Sequence, residues 1–167
     1  VNCTAGVVEG QVTGTDGVYQ ASLRGSDLML DSITGNRDLG KCNLIANTAL
    51  TKTDEGYSGT FGGNSSSLYY KRYEYRNIAV NGTVAPGMIT SKIGFSNRNG
   101  KLALNADLRT KGTKSYDINM TADNVNLTAY HMAADDSISL SARFHAQLEG
   151  NSIDQIRGQM TIDDLKY

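Results

Sequence analysis

Apolar and polar residues alternate along much of this 167-residue chain, most regularly in its central and C-terminal parts. The longest run alternates apolar residues with polar ones at Ile138, Leu140, Ala142, Phe144, Ala146 and Leu148. A period of two that is sustained over such a run is typical of a half-buried β-strand, and a helix cannot produce it. The run therefore predicts a strand with one apolar face and one polar face.

Shorter runs of the same kind predict further strands at 42–50, 78–84, 89–95, 101–109, 116–122 and 156–162, and more weakly at 8–12, 19–23 and 28–30. Turn sequences such as Asp16-Gly17, Pro86-Gly87 and Asn99-Gly100 separate the strands. Composition agrees, because glycine is abundant and strong helix formers are scarce. We predict an all-β chain that forms an antiparallel meander of about ten strands.

The apolar faces of these strands need cover, and the sequence contains no amphipathic helix to supply it. A one-sided antiparallel sheet buries such a face against a second sheet, by closing on itself, or against an apolar partner that is not protein. The pattern alone leaves these three alternatives open.

Two short sequence patterns recur along the chain. The first places a glycine two residues before an apolar residue, at Gly10-Gln11-Val12, Gly82-Thr83-Val84 and Gly158-Gln159-Met160. The second runs from aspartate to leucine, at Asp27-Leu28, Asp123-Asn124-Val125-Asn126-Leu127 and Asp163-Asp164-Leu165. A glycine at an apolar-facing position gives a strand room to bend, so the repeats favour a repetitive sheet over a closed globule.

Charge and motifs disfavour several classes of function. The net charge of −1 lacks the basic excess of a nucleic-acid-binding domain. The chain has no phosphate-binding loop, nucleophile elbow or metal-ligand spacing. His145, on the polar face of its strand, and His131 are interpreted as structural. The pairs Asp135-Asp136 and Asp163-Asp164 are interpreted as Asp-rich turns rather than as catalytic carboxylates or calcium ligands. We predict no enzyme, no catalytic residue, no metal and no cofactor.

Two further features leave alternatives open. The run Tyr69-Tyr70-Lys71-Arg72-Tyr73-Glu74-Tyr75 mixes aromatic and basic residues, as surfaces that bind single-stranded nucleic acid do. Because the chain has no net basic charge, we interpret this run as a strand edge or an interfacial band. Cys3 and Cys42 either pair in an oxidising compartment or remain free thiols.

Several segments resemble one known family. The segment Tyr73–Val84, YEYRNIAVNGTV, resembles the recurring strand Y-x-Y-x-N-I-x-V-x-G-x-V/L of TamB-like proteins, in the AsmA-like envelope superfamily. The segment Gly150–Ile162, GNSIDQIRGQMTI, is similar to the G-N-x-I/L-D-x-I/L-x-G-x-I form of the same repeats. Shorter similar pieces are Ile93–Ser96, Asn105–Leu108 and Ile118–Leu127. The resemblance covers residues 64–167, in the Asn-rich style of Bacteroides-like bacteria, and the first sixty residues match only in general character.

The resemblance implies an antiparallel meander that forms a curved, open β-groove (a β-taco) with an apolar interior. It implies a long periplasmic protein of the cell envelope, anchored in the inner membrane, whose groove supports phospholipid transport between the inner and outer membranes and outer-membrane assembly. The implied partners are phospholipid or other acyl-chain cargo and an outer-membrane barrel protein, with membrane contact through regions outside these residues. Because Val1 opens no signal-peptide pattern and the chain ends inside a strand pattern, we expect residues 1–167 to be a single fragment of such a protein.

On this interpretation the apolar residues of successive strands share one face and line the groove. The predicted groove residues are Ile78, Val80, Val84, Ile93, Phe95, Leu102, Leu104, Leu108, Tyr116, Ile118, Met120, Ile138, Leu140, Phe144, Leu148, Met160 and Ile162. Two alternatives remain: a ligand-binding β-barrel or sandwich of a surface or periplasmic lipoprotein, and a purely structural β-module. A closed cavity would favour the first, and an apolar face packed by protein alone would favour the second.

Overall fold

Ten long strands and one strand of two residues form a single antiparallel sheet in this computed structural model, which describes residues 2–3, 5–130, 138–151 and 155–167. The strands are β1 Asn2–Cys3, β2 Gly6–Thr15, β3 Val18–Met29, β4 Leu39–Thr53, β5 Gly56–Tyr70, β6 Tyr73–Ala85, β7 Met88–Asn97, β8 Gly100–Arg109, β9 Ser115–Asn126, β10 Ser139–Glu149 and β11 Arg157–Lys166. One short helix, α1 Leu30–Thr34, lies between β3 and β4. The predicted all-β meander of about ten strands is therefore confirmed.

Each strand pairs with the strand that follows it in the chain, so strand order in the sheet is sequence order. The sheet is curled but does not close, and β1 and β11 form its two edges. We call the end that carries the β3–β4, β5–β6 and β7–β8 connections the upper end, and the opposite end the lower end. Within the described residues, no helix is long and apolar enough to cross a membrane.

The register separates the chain into two faces. Directly paired residues in an antiparallel sheet lie on the same face. One row of such pairs runs from Val84 through Ile89, Leu108 and Tyr116 to Leu148. The adjacent row on the other face consists of the polar residues Asp107, Asp117, Gln147 and Gln159. We call the two surfaces the apolar face and the polar face.

Four Asp or Asn residues with left-handed backbone keep the apolar face continuous near the upper end. Their φ angles are 51° at Asp27, 56° at Asn77, 50° at Asn124 and 53° at Asp164. Asp and Asn tolerate this region better than most residues. The residue after each one is apolar, and three of the four sites coincide with register shifts in the sheet. The second repeated sequence pattern therefore marks β-bulges. The interpretation of Asp163-Asp164 as a turn is wrong, because both residues lie within β11.

The tyrosine-rich run is not one strand. Lys71 and Arg72 form a two-residue turn between β5 and β6, with φ angles of 47° and 67°. Two-residue hairpin turns of this kind usually carry Asn-Gly or Asp-Gly, so Lys-Arg is not a sequence signal for a turn. The run is the tip of a hairpin.

The structure describes only some of the residues in the predictions about the cysteines, His131 and Asp135-Asp136. Cys42 is a buried free thiol, with Sγ 3.7 Å from Ser65 Oγ. The side chain of Cys3, together with His131 and the pair Asp135-Asp136, lies outside what the structure describes, so their predicted roles remain predictions.

Candidate functional site

The apolar face is the candidate functional site, because the predicted groove residues lie on it. Register pairs place the following residues on this face: Ile78, Val80, Val84, Ile93, Phe95, Leu102, Leu104, Leu108, Tyr116, Ile118, Met120, Leu140, Phe144, Leu148, Met160 and Ile162. Ile138, the remaining predicted residue, is half-buried directly before β10, and its carbonyl accepts a hydrogen bond from the Leu127 N–H.

Little protein covers this face. The buried apolar residues of the described chain are Leu28, Cys42, Ala106, Ala122, Val125, Tyr130 and Ala146, which are few and mostly small. The chain exposes 11386 Å² of surface. A compact protein of 18.0 kDa exposes about 8,000 Å². The excess agrees with the single sheet that the described residues form, over which they place no second layer.

An apolar hollow of about 450 Å³ lies on this face between β3 and β6. Its apolar lining includes Leu23, Leu44, Phe61, Leu68, Ile78 and Val80. The volume falls within the range of pockets that hold small molecules. Only the last two of these residues are among the predicted groove residues. Leu23 and Leu44 lie on predicted strands, whereas the glycines and serines of β5 obscure the alternation around Phe61 and Leu68.

Phe61 occupies its place on the apolar face because the residue opposite it is glycine. Phe61 pairs directly with Gly82, and a Cβ on Gly82 would collide with the Phe61 ring and with the Thr90 carbonyl oxygen. The ring therefore lies across the neighbouring strand and fills space that a side chain would take. This close approach explains one occurrence of the first repeated sequence pattern.

An aromatic cluster covers the apolar face at the upper end. Tyr130, in the turn that follows β9, is only 4% exposed. Its ring centroid lies 4.6 Å from that of Tyr73, 5.4 Å from that of Tyr75 and 5.6 Å from that of Phe95. Edge-on and offset ring pairs at these distances are favourable beyond their burial. The upper end of the face between β6 and β9 is thus closed, whereas the part below it remains open.

Polar groups at the rim form hydrogen bonds with two tyrosine hydroxyls of this aromatic cluster. Tyr130 Oη donates to Asn97 Oδ1 at 3.1 Å, and Asn99 Nδ2 donates to Tyr73 Oη at 2.8 Å. Burial disfavours the charged phenolate and raises the pKa of Tyr130 to about 12. Burial also raises the pKa of Tyr75. Both phenols are therefore neutral at physiological pH.

The polar face carries a larger hollow, of about 1040 Å³, lined by amide and hydroxyl side chains that include Gln11, Gln20, Asn47, Asn64 and Asn81. Its lining also includes the apolar residues Ile45, Ala49 and Ala79. The smaller hollow on the apolar face is the better candidate for an apolar ligand, because its lining is almost entirely apolar.

Asp117 and His145, on the polar face, pair with each other. Asp117 accepts hydrogen bonds from Gln147 Nε2 and His145 Nε2, each at 3.2 Å, and from Asn119 Nδ2 at 2.9 Å. These bonds, led by the one from Gln147, lower the pKa of Asp117. His145 thus lies on the polar face, as the alternation predicts. Among the described residues, no group of three or more His, Cys, Asp or Glu side chains is positioned to hold a metal ion.

Comparison of the chain with protein-family models, with curated proteins and with solved structures gives no match.

Proposed function

We propose that this chain is a lipid-conduit segment of a periplasmic envelope protein, whose apolar face supports phospholipid transport between the inner and outer membranes and outer-membrane assembly. The observation that carries the proposal is the continuous apolar face, which extends over all ten long strands with no second protein layer among the described residues. The TamB-like sequence patterns support the envelope location and the partner, an outer-membrane barrel protein.

Acyl chains suit this face for a physical reason. Burying a methylene group is worth about 0.8 kcal/mol, so covering half of a sixteen-carbon chain is worth roughly 6 kcal/mol. The apolar hollow between β3 and β6 supplies such cover, and its lining is almost entirely apolar. The open sheet presents further apolar rows on both sides, along which an acyl chain exchanges one set of contacts for another of similar energy.

Two adjacent residues of β10 test this proposal. Phe144 pairs with Met120 and Ile162 on the apolar face, whereas His145 pairs with Asn119 and Thr161 on the polar face. We expect a photo-crosslinking residue at Phe144 to capture phospholipid in bacterial cells, and the same residue at His145 to capture little. Leu140 and Leu148 are expected to behave like Phe144.

Equal labelling at the two positions would indicate nonspecific membrane contact. Labelling by protein alone at Phe144 would indicate an ordinary packed core. Either result would contradict the proposal that this chain is a lipid conduit.

A further inference from the structure

The β5–β6 hairpin tip combines exposed tyrosines with two exposed bases. Tyr69 is 39% exposed and Tyr70 is 36% exposed, and Lys71 and Arg72 form the turn between the strands. Both turn residues have left-handed backbone, which disfavours long side chains and favours glycine or asparagine. The sequence therefore places two long cations where smaller residues fit the backbone better. Strain of this kind at an exposed tip suggests a function.

Neighbouring connections at the upper end add further positive charge. The Lys71 N–H donates to the Asp38 carbonyl oxygen at 2.8 Å, which joins the tip to the β3–β4 connection. The Asn99 Nδ2–Tyr73 Oη bond joins it to the β7–β8 turn. Across the segments 30–41, 69–74 and 97–100, three acidic side chains, Asp31, Asp38 and Glu74, accompany five basic ones: Arg37, Lys41, Lys71, Arg72 and Arg98. Glu74 is paired with Arg76, outside these segments.

These five bases are available to an external anion. The ion pairs of the described residues join Arg76 to Glu74, Lys111 to Glu55, Arg143 to Asp164 and His145 to Asp117, and none includes a base of this group. The chain as a whole is slightly acidic, so the excess of bases is a local property of these three segments.

We propose that this hairpin tip binds the anionic surface of a phospholipid bilayer. Lys71 and Arg72 contact headgroup phosphates, and Tyr69 and Tyr70 lie at the level of the headgroups, where tyrosine is enriched in membrane proteins. Tyr70 pairs with Tyr73, so the tip leads directly into the aromatic cluster and the apolar face. The polar tip thus lies above the apolar face, just as the headgroups of a bilayer lie above its acyl chains.

This site goes beyond the proposed function, because it concerns contact with a membrane rather than the path of lipid along the sheet. It also adds a membrane contact inside the chain, whereas the family resemblance implies such contact only outside these residues. A nucleic-acid backbone would also attract bases beside tyrosines. The bilayer is favoured because the tip adjoins an open apolar face and because the chain has no general basic excess.

Vesicle flotation tests the site with the intact chain. We expect binding to phosphatidylcholine vesicles that contain about 30% phosphatidylglycerol, weakening as salt screens the charges, and little binding to pure phosphatidylcholine. The double variant Lys71→Asn/Arg72→Gly removes both charges and installs the preferred turn sequence. Its melting temperature should therefore hold or rise while its affinity falls about 30-fold. The matched control Lys52→Asn/Lys114→Asn removes two exposed bases at the lower end and should retain wild-type affinity.

Three results would overturn the site: equal loss of affinity in the two double variants, equal binding to neutral vesicles, or binding to a single-stranded oligonucleotide without binding to vesicles. Phospholipid capture at Phe144 reports separately on the proposed function. The Lys71→Asn/Arg72→Gly variant should keep that capture, so failure of one proposal leaves the other standing.

Discussion

At the scale of single residues, left-handed Asp and Asn residues determine which side chains reach the apolar face. Asn124 lies between Ala122 and Val125 in the sequence. Both of these residues are buried, although Val125 comes three positions after Ala122. A regular strand would send one of the two to the polar face. The left-handed residue takes up the extra position, and its N–H donates to Ser141 Oγ at 2.9 Å. The same reasoning applies to Asn77 between Tyr75 and Ile78.

Substitution of Asn124 tests this role of the backbone. Asn124→Gly should change the free energy of unfolding by less than about 0.5 kcal/mol, since glycine adopts positive φ without a steric penalty. Asn124→Val should lower it by about 1–2 kcal/mol, since a β-branched residue is strained there. Urea unfolding measures both changes. Asn105→Val, on the polar face of the regular strand β8, is the control and should have little effect; an equal loss at both positions would contradict the account.

At the scale of elements, the strands with strict alternation were predictable and the glycine-rich ones were less so. The run Leu102-Ala103-Leu104 lies in β8, with its leucines half-buried and its alanine exposed, as the period of two predicts. Strand β5 contains Phe61-Gly62-Gly63, in which glycines replace the apolar side chains that would mark a face. The Lys71-Arg72 turn could not be predicted, because lysine and arginine are not typical turn formers. The remaining features of the apolar face could not be predicted, because they depend on contacts between strands. The Phe61 ring that lies over Gly82 is an example.

The turn after β9 is an element whose packing depends on pH. The pKa of Tyr130 is raised to about 12 by burial, from an ordinary value near 10. Its contribution to stability is therefore complete below about pH 10 and is lost as pH rises toward 12, because only the unfolded chain loses the proton readily. We expect the melting temperature to fall over this interval, measured by circular dichroism.

Tyr130→Phe should flatten that fall, because phenylalanine has no proton to lose. It should also lower the neutral-pH stability by about 1 kcal/mol, through loss of the hydrogen bond to Asn97. Tyr167→Phe, at a side chain that is 98% exposed, is the control and should leave the pH profile unchanged. An unchanged profile in Tyr130→Phe would contradict a buried, neutral phenol at this position.

At the scale of the whole molecule, the sheet curls without closing and leaves one face short of protein cover. Sequence alternation established that such a face exists, but it did not decide among a second sheet, closure and a partner that is not protein. The structure disfavours closure, since β1 and β11 remain the edges of the sheet. The described residues form no second layer over this face, and our proposal is that an apolar partner covers it.

Native mass spectrometry of the purified chain, compared with two single variants, tests this account most directly. Leu104 is half-buried on the apolar face between Ile93 and Met120, and Asn105 is exposed on the polar face. The account predicts co-purified phospholipid in the wild type and in Asn105→Asp, and its loss in a Leu104→Asp chain that remains folded, because a carboxylate on an open face stays hydrated. A wild type without bound lipid, together with a Leu104→Asp variant that unfolds, would show that protein covers this face and would contradict the account.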